Sequence, residues 1–265
     1  MPQFRLGNKI SPTEKVFVLT GPEAAHALRV LRYKVGDKIL CLDPAGTKIE
    51  GRIEQVAKDS IQGSILNRWS FKTSGVKINL YSALLKTKAW EEILEKGTEI
   101  GVQAFSPVLT AYTAVSLKKE DYPRKLARWE KVIASAAKQS ERTSIPAISS
   151  PKTLQEILKE SPRVNASLFA WEKTRENKNG SSSISQIFKT MNPNEIFPVN
   201  LWIGPEGGFS ENEAQILIQN NVLPINLGEN ILRADTAALV ACALIQYEYQ
   251  NALLKSSLSQ GNDIS

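Results

Sequence analysis

The stretch VNLWIGPEGGFSENE (residues 199–213) decides the fold. Its first six residues form an apolar run of strand length. GPEGGF (204–209) then packs three glycines and a proline into six residues, so the chain bends sharply or lets something come close. Ser210 followed by Glu213 is a capping box that starts a helix. The order strand, glycine loop, helix recurs downstream. LPINLG (223–228) reads as a strand ending in Gly228, ENILR (229–233) as a loop, and a long helix begins near Asp235, a natural N-cap. If the two strands are parallel neighbours, both loops leave one edge of a sheet, where α/β proteins place ligands.

The loops are not phosphate loops. Neither the G-K-[ST] signature nor G-x-G-x-x-G is present, and Glu206 sits inside the first loop, where a phosphate is disfavoured. Two backbone-rich loops with one carboxylate between them suit a nucleoside that carries ribose hydroxyls and a positive charge. S-adenosylmethionine is such a ligand. An ordinary structural turn is the competing reading of each loop.

Working outward, residues from about 75 alternate strands with helices. VKINLYSAL (76–84), AFSPVLT (104–110) and ASLFAWE (166–172) read as strands. AWEEILEKGTEIG (89–101) is an amphipathic helix stopped by Gly101, and a helix is expected over 121–142, with Asp121 as N-cap and Leu126, Trp129, Ile133, Ala136 and Ala137 as its buried stripe. A shorter helix is expected at 153–160. The alternation predicts a mostly parallel sheet covered on both faces. Residues 1–72 differ: four short strand patterns, at 15–20, 37–43, 48–56 and 60–66, surround one helical pattern over 21–37. There Ala25, Leu28 and Leu31 form an apolar stripe and His26, Arg29 and Arg32 a basic ridge. The polar segment 173–183 and the tail 256–265 have too little apolar content to order themselves.

Composition removes several function classes. His26 is the only histidine, so a Ser-His-Asp triad or a histidine-ligated zinc site is excluded everywhere but at that residue, and no metal is expected. Cys41 and Cys242 lie far apart in apolar settings and read as buried thiols of a reducing compartment. The start MPQFRLGNKI lacks a long apolar run, and TAALVACALIQY (236–247) is too short to span a bilayer, so a cytoplasmic protein without a membrane partner is expected. Residues 1–72 hold 12 Lys and Arg against 7 Asp and Glu, a surplus of +5 out of the chain's +6. That asymmetry fits a nucleic-acid partner and fits a merely solubilising surface equally well.

LWIGPEGGFSENE and, about two dozen residues on, LGENILRADTAALVACALIQ strongly resemble the ribosomal RNA small subunit methyltransferase E family. HALRVLRYKVGD resembles its N-terminal domain, and ALLKTKAWEEILEKGTEIGVQAFSPV and RWEKVIASAAKQSERTSIPAI resemble its central elements, so the likeness covers nearly the whole chain. It implies an α/β protein with a small PUA-like β-barrel RNA-binding domain (1–72), a trefoil-knotted parallel-sheet methyltransferase domain of the SPOUT class (73–255) and a flexible tail (256–265). It implies a homodimer with its active site near the interface. It also implies methylation of uridine N3 in 16S ribosomal RNA, within a ribosomal subunit and near the decoding region, with S-adenosylmethionine as methyl donor. The chain departs from the family in two places. Asp235 stands where the family usually has glutamate, and the arginine expected within 110–115 is missing, with Tyr112 near its place.

The resemblance gives the residues roles. Gly204, Gly207, Gly208 and Gly228 bring the backbone close to the cofactor, Glu206 orients it, and Leu227, Ile231 and Leu232 wall its adenine. Arg233 stabilises charge developing on the uracil or binds a phosphate, with Glu206 and Asp235 as the other catalytic candidates. His26, Arg29, Arg32, Gln139 and Arg142 face RNA. Each has a plainer alternative: a salt bridge from Arg233 to Glu206 or Asp235, core packing for the leucines and Ile231, a solvated face for the basic residues. A knotted methyltransferase acting on another RNA, and a noncatalytic RNA-binding assembly protein, remain the competing functions.

Overall fold

The computed structural model describes residues 2–70, 75–160, 164, 166–172, 183–190 and 198–260. Residues 173–182 of the polar segment and 261–265 of the tail lie outside them. The chain divides into two compact units, Met1–Ser74 with Ala137–Ile145, and Gly75–Ala136 with Pro146–Ser265.

The first unit is built on β1 (Gln3–Arg5), β2 (Val16–Thr20), a helical turn α1 (Gly21–Ala25), β3 (Lys38–Leu42), β4 (Thr47–Ala57) and β5 (Ser60–Ser70). The strand order is β1-β3-β4-β5-β2. Among the described residues no ladder joins β2 back to β1, so the expected barrel is a sheet wrapped around one core of Phe4, Phe17, Leu19, Ile39, Ile49, Ile53 and Ile61. Gly51 and Gly63 face the Phe17 ring, and a Cβ on either would collide with it. At Gly63 the Arg52 carbonyl oxygen is nearer still to the Cβ position, so that glycine also permits the close approach of the β4 backbone.

The helix expected over 21–37 is much shorter. After α1 the backbone widens into a π-helical turn over His26–Val30, and the Leu31 N–H bonds the His26 carbonyl at 3.2 Å. Arg32 then takes a left-handed φ of 58°, and the Tyr33 N–H returns to the Ala27 carbonyl. The wider turn rotates the apolar face, so Ala24 and Ala27 are buried while Leu31 is exposed. Arg32 consequently lies beyond the helix rather than on a ridge with His26 and Arg29.

The second unit contains β6 (Lys77–Ala83), α2 (Thr87–Ile100), β7 (Val102–Leu109), α3 (Tyr122–Gln139), β8 (Ala147–Ile148), β9 (Lys152–Thr153), α4 (Leu154–Glu160), β10 (Ala166–Ala170), α5 (Ile184–Thr190), β11 (Pro198–Ile203), α6 (Glu211–Gln219), β12 (Leu223–Ile225) and α7 (Ala234–Gln260). The strands pair in parallel in the order β12-β10-β11-β6-β7-β8, with β9 also on β7. Side chains alternate between two apolar layers. Ile78, Leu80, Leu168, Leu201 and Ile203 meet α2, α3, α5 and α7 on one face, whereas Tyr81, Phe169 and Trp202 meet α4 and α6 on the other. Register is fixed across β6 and β11 by the stacked rings of Tyr81 and Trp202, 4.4 Å apart, and by Asn79 donating to the Asn200 Oδ1 at 3.0 Å. Such a buried polar pair is satisfied only in one register.

Two caps differ from expectation. Asp121 lies in a short 3₁₀ turn before α3, and its carboxylate pairs with Arg124 instead of capping. Asp235 lies inside the first turn of α7, which starts one residue earlier. The same helix continues through the first half of the tail set apart at 256–265, as far as Gln260.

Candidate active site

Because β10, β11 and β12 run parallel, their C-terminal ends share one edge. Three loops leave it and enclose a cavity of about 220 Å³. The first is Gly204–Gly208. It is pinned downstream by Phe209, buried against the Phe169 ring at 6.1 Å, and by the Ser210–Glu213 capping box, in which Ser210 Oγ and Glu213 Oε2 satisfy each other's backbone amides. A Cβ on Gly204 would lie 3.0 Å from the backbone of Gly208 and Phe209, since the loop doubles back on itself. Gly208 has a φ of 70°, and a Cβ there would meet the Glu172 carboxylate at 2.6 Å.

The second loop follows β12. The Gly228 N–H is held by the Asn226 Oδ1 at 2.7 Å, and Gly228 has a φ of 118°, a conformation essentially closed to other residues. The third loop is the end of β10, Ala170–Glu172, where the Trp171 N–H bonds the Ile225 carbonyl.

Every residue expected to hold a cofactor lines this cavity: Gly204, Glu206, Gly207, Gly208, Leu227, Gly228, Ile231 and Leu232. Leu227 and Leu232 also pack on the main core, so they serve as wall and as core at once. Ile231 is 78% exposed and forms an outer lip. Trp171, Glu172, Asn226 and Asn230 line it as well, and sequence reasoning missed them. The available signal was the acidic residue closing the run ASLFAWE, the same placement as a loop after a strand. Among the described residues no Lys or Arg side chain is in the lining, which instead carries the carboxylates of Glu172 and Glu206. Apolar walls, backbone amides and two carboxylates suit a ligand with an apolar ring, hydroxyls and a positive charge, and repel a phosphate.

Arg233 and Asp235 follow the second loop but do not line the cavity. Arg233 is exposed, and among the described residues it makes no ion pair with Glu206 or Asp235. The Asp235 Oδ1 accepts from the Thr236 N–H at 2.7 Å. The five residues expected to face RNA belong to the first unit. Arg29 is exposed and paired to Asp59 at 2.6 Å, and His26 is half-buried beside the Phe4 ring. Gln139 is exposed at the end of α3. Arg142 is half-buried; burial and the neighbouring Arg5 both lower its pKa.

Neither thiol is a candidate nucleophile, because burial pushes Cys41 and Cys242 each up to about 12. Among the described residues no three His, Cys, Asp or Glu side chains gather as metal ligands. None of their helices is long and apolar enough to cross a membrane.

The model of an RNA methyltransferase domain matches residues 72–246, and that of an RNA methyltransferase PUA domain matches residues 19–66. The chain is 31% identical to ribosomal RNA small subunit methyltransferase E of Bacillus subtilis (strain 168), over 88% of this chain and 90% of that protein. It is 34% identical to the Synechocystis sp. protein of the same name, over 92% and 75%. The fold is similar to the crystal structure of the Neisseria gonorrhoeae protein of that name bound to S-adenosyl methionine, with a TM-score of 0.76, 25% identity and coverage of 93% and 97%.

Proposed function

This chain belongs to the ribosomal RNA small subunit methyltransferase E family, and on that premise we propose that it methylates N3 of a uridine in 16S ribosomal RNA, using S-adenosylmethionine. The observation that carries the reading is the cavity at the strand ends, walled by glycine backbone and apolar side chains and carrying two carboxylates and, among the described residues, no cation. Bound there, S-adenosylmethionine supplies a methyl group on a positively charged sulfur. Leu227, Ile231 and Leu232 would cover its adenine, the backbone of Gly204, Gly207, Gly208 and Gly228 would approach it closely, and Glu172 and Glu206 would face its hydroxyls and positive charge.

The chain's own residues then act on the base. Uracil N3 is a poor nucleophile until its proton leaves, and the loss puts negative charge on N3 and the two flanking carbonyl oxygens. The Arg233 guanidinium, exposed at the end of the second loop, would offset that charge. Glu206 and Asp235 are the two carboxylates that this reading offers to take the N3 proton. The C–N bond forms as the C–S bond breaks, and the positive sulfur becomes a neutral thioether. A methyl on N3 blocks the Watson–Crick edge. Reverse transcriptase should stop at one site near the 3′ end of small-subunit RNA from cells carrying the gene, and read through when the gene is deleted. A stop that persists after deletion contradicts the substrate assignment.

The rest of the reading concerns assembly. We propose a cytoplasmic homodimer whose interface includes α7, because Ala243, Leu244, Tyr247 and Leu254 expose one apolar stripe opposite its buried face. We propose a trefoil knot as well. Its support is the strand order, which lays β11 and β12 on opposite sides of β10. A crystal structure of the purified protein should show a two-fold axis beside this stripe and a last helix threaded through an earlier loop. A solvent-covered stripe, or an unthreaded chain, contradicts the respective proposal.

A further inference from the structure

We propose that Tyr112 is the platform on which the target base of the substrate RNA stacks. The inference rests on the methyltransferase reading and adds a substrate-positioning residue to it. Tyr112 follows β7, whose C-terminal end lies at the same sheet edge as the cavity loops. It sits in a tight turn in which the Thr113 N–H bonds the Thr110 carbonyl and the Thr113 Oγ1 accepts from the Thr110 N–H at 2.9 Å. The turn is latched to the glycine loop by one buried carboxylate. The Glu213 Oε1 accepts from the Ala111 N–H at 2.8 Å, while its Oε2 accepts from the Ser210 N–H at 2.9 Å and from the Ser210 hydroxyl at 2.8 Å. Glu213 is only 7% exposed, so this latch is shielded from water.

The ring itself is left free. Tyr112 is 56% exposed, and among the described residues its hydroxyl has no hydrogen-bond partner. One edge lies against Gly207, where a Cβ would meet Tyr112 at 3.3 Å, and Gly207 also lines the cavity. A large aromatic ring on a rigidly held turn, at the rim of the cavity and contributing little to the core, has the form of a stacking surface. The charge at the rim selects the same partner. Glu172 and Glu206 repel a phosphate, whereas a neutral ring accepts a base face without bringing phosphate oxygens to the carboxylates.

The test uses small ribosomal subunits from cells lacking the gene, with S-adenosylmethionine saturating, and separates KM for the subunit from kcat. Tyr112→Ala should raise that KM about tenfold to a hundredfold. Tyr112→Phe should restore it, since stacking needs the ring and not the hydroxyl. S-adenosylmethionine affinity, read by calorimetry, should stay within about twofold in both. An unchanged KM in Tyr112→Ala overturns the proposal, as does a Phe variant no better than Ala. A cofactor affinity that falls in step with KM also overturns it, because Tyr112 would then merely support the Gly207 loop. A wild-type chain that transfers no methyl group sinks the methyltransferase reading itself, and this proposal with it. A wild-type chain that transfers normally confines any failure to Tyr112.

Discussion

Valine at Gly208 or at Gly228 should lower S-adenosylmethionine affinity by at least about a hundredfold, read by calorimetry on protein whose melting transition is intact. The two positions fail for different reasons. At Gly208 the φ of 70° and the Glu172 carboxylate both oppose a side chain, with the nearest oxygen 2.6 Å from the Cβ position. A β-branched residue would have to displace Glu172 or unwind the turn that the Gly208 N–H makes with the Pro205 carbonyl. At Gly228 no atom lies within 4 Å of the Cβ position, so space is not the obstacle. The φ of 118° is, and holding it costs a residue other than glycine about 1–3 kcal/mol. A backbone that relaxes instead carries Leu227 and Ile231 away from the cavity. Each 1.4 kcal/mol is about a factor of ten, so strain together with the displacement of those two walls reaches the stated effect. A folded variant with wild-type affinity would falsify the placement of the cofactor.

Arg233→Ala should reduce kcat by about a hundredfold to a thousandfold, the scale of losing one charged donor to a developing anion. Cofactor affinity should hold, because Arg233 does not line the cavity. RNA affinity should hold as well, since one cation is removed among many. The opposite pattern is expected when Arg29 and Arg32 are both replaced by alanine. There RNA affinity should weaken and its salt dependence flatten, by about one unit of slope for each phosphate no longer neutralised, with kcat intact. Arg29 is already paired to Asp59, so Arg32 should carry more of that effect. A kcat for Arg233→Ala within about threefold of wild type removes Arg233 from the chemistry.

What was legible in the sequence were features whose cause is local. The run VNLWIG is a strand because both faces are buried, and the Ser210–Glu213 pair starts α6 because it satisfies the first amides of that helix. The two glycine loops that line the cavity followed from their placement after strands, and the eight lining residues from the family resemblance. What was not legible depended on tertiary neighbours. Strands β1, β8 and β9 have two or three residues and no period to read. The π-helical turn shifted the apolar face of 21–37, and no residue type announces such a turn. Glu172 entered the cavity only because β10 lies between β11 and β12, a strand order that sequence adjacency does not suggest. Ala111 and Glu213 met for the same reason, since their elements are about a hundred residues apart yet share one sheet edge.

The transfer assay described for the Tyr112 variants tests the central claim most directly when it is run with the wild-type chain and read at the product base. Small ribosomal subunits from cells lacking the gene are incubated with the purified protein and labelled S-adenosylmethionine, and the RNA is digested to nucleosides. The account predicts that the label appears in a single nucleoside, N3-methyluridine. No transfer, or label on another base or atom, would contradict it.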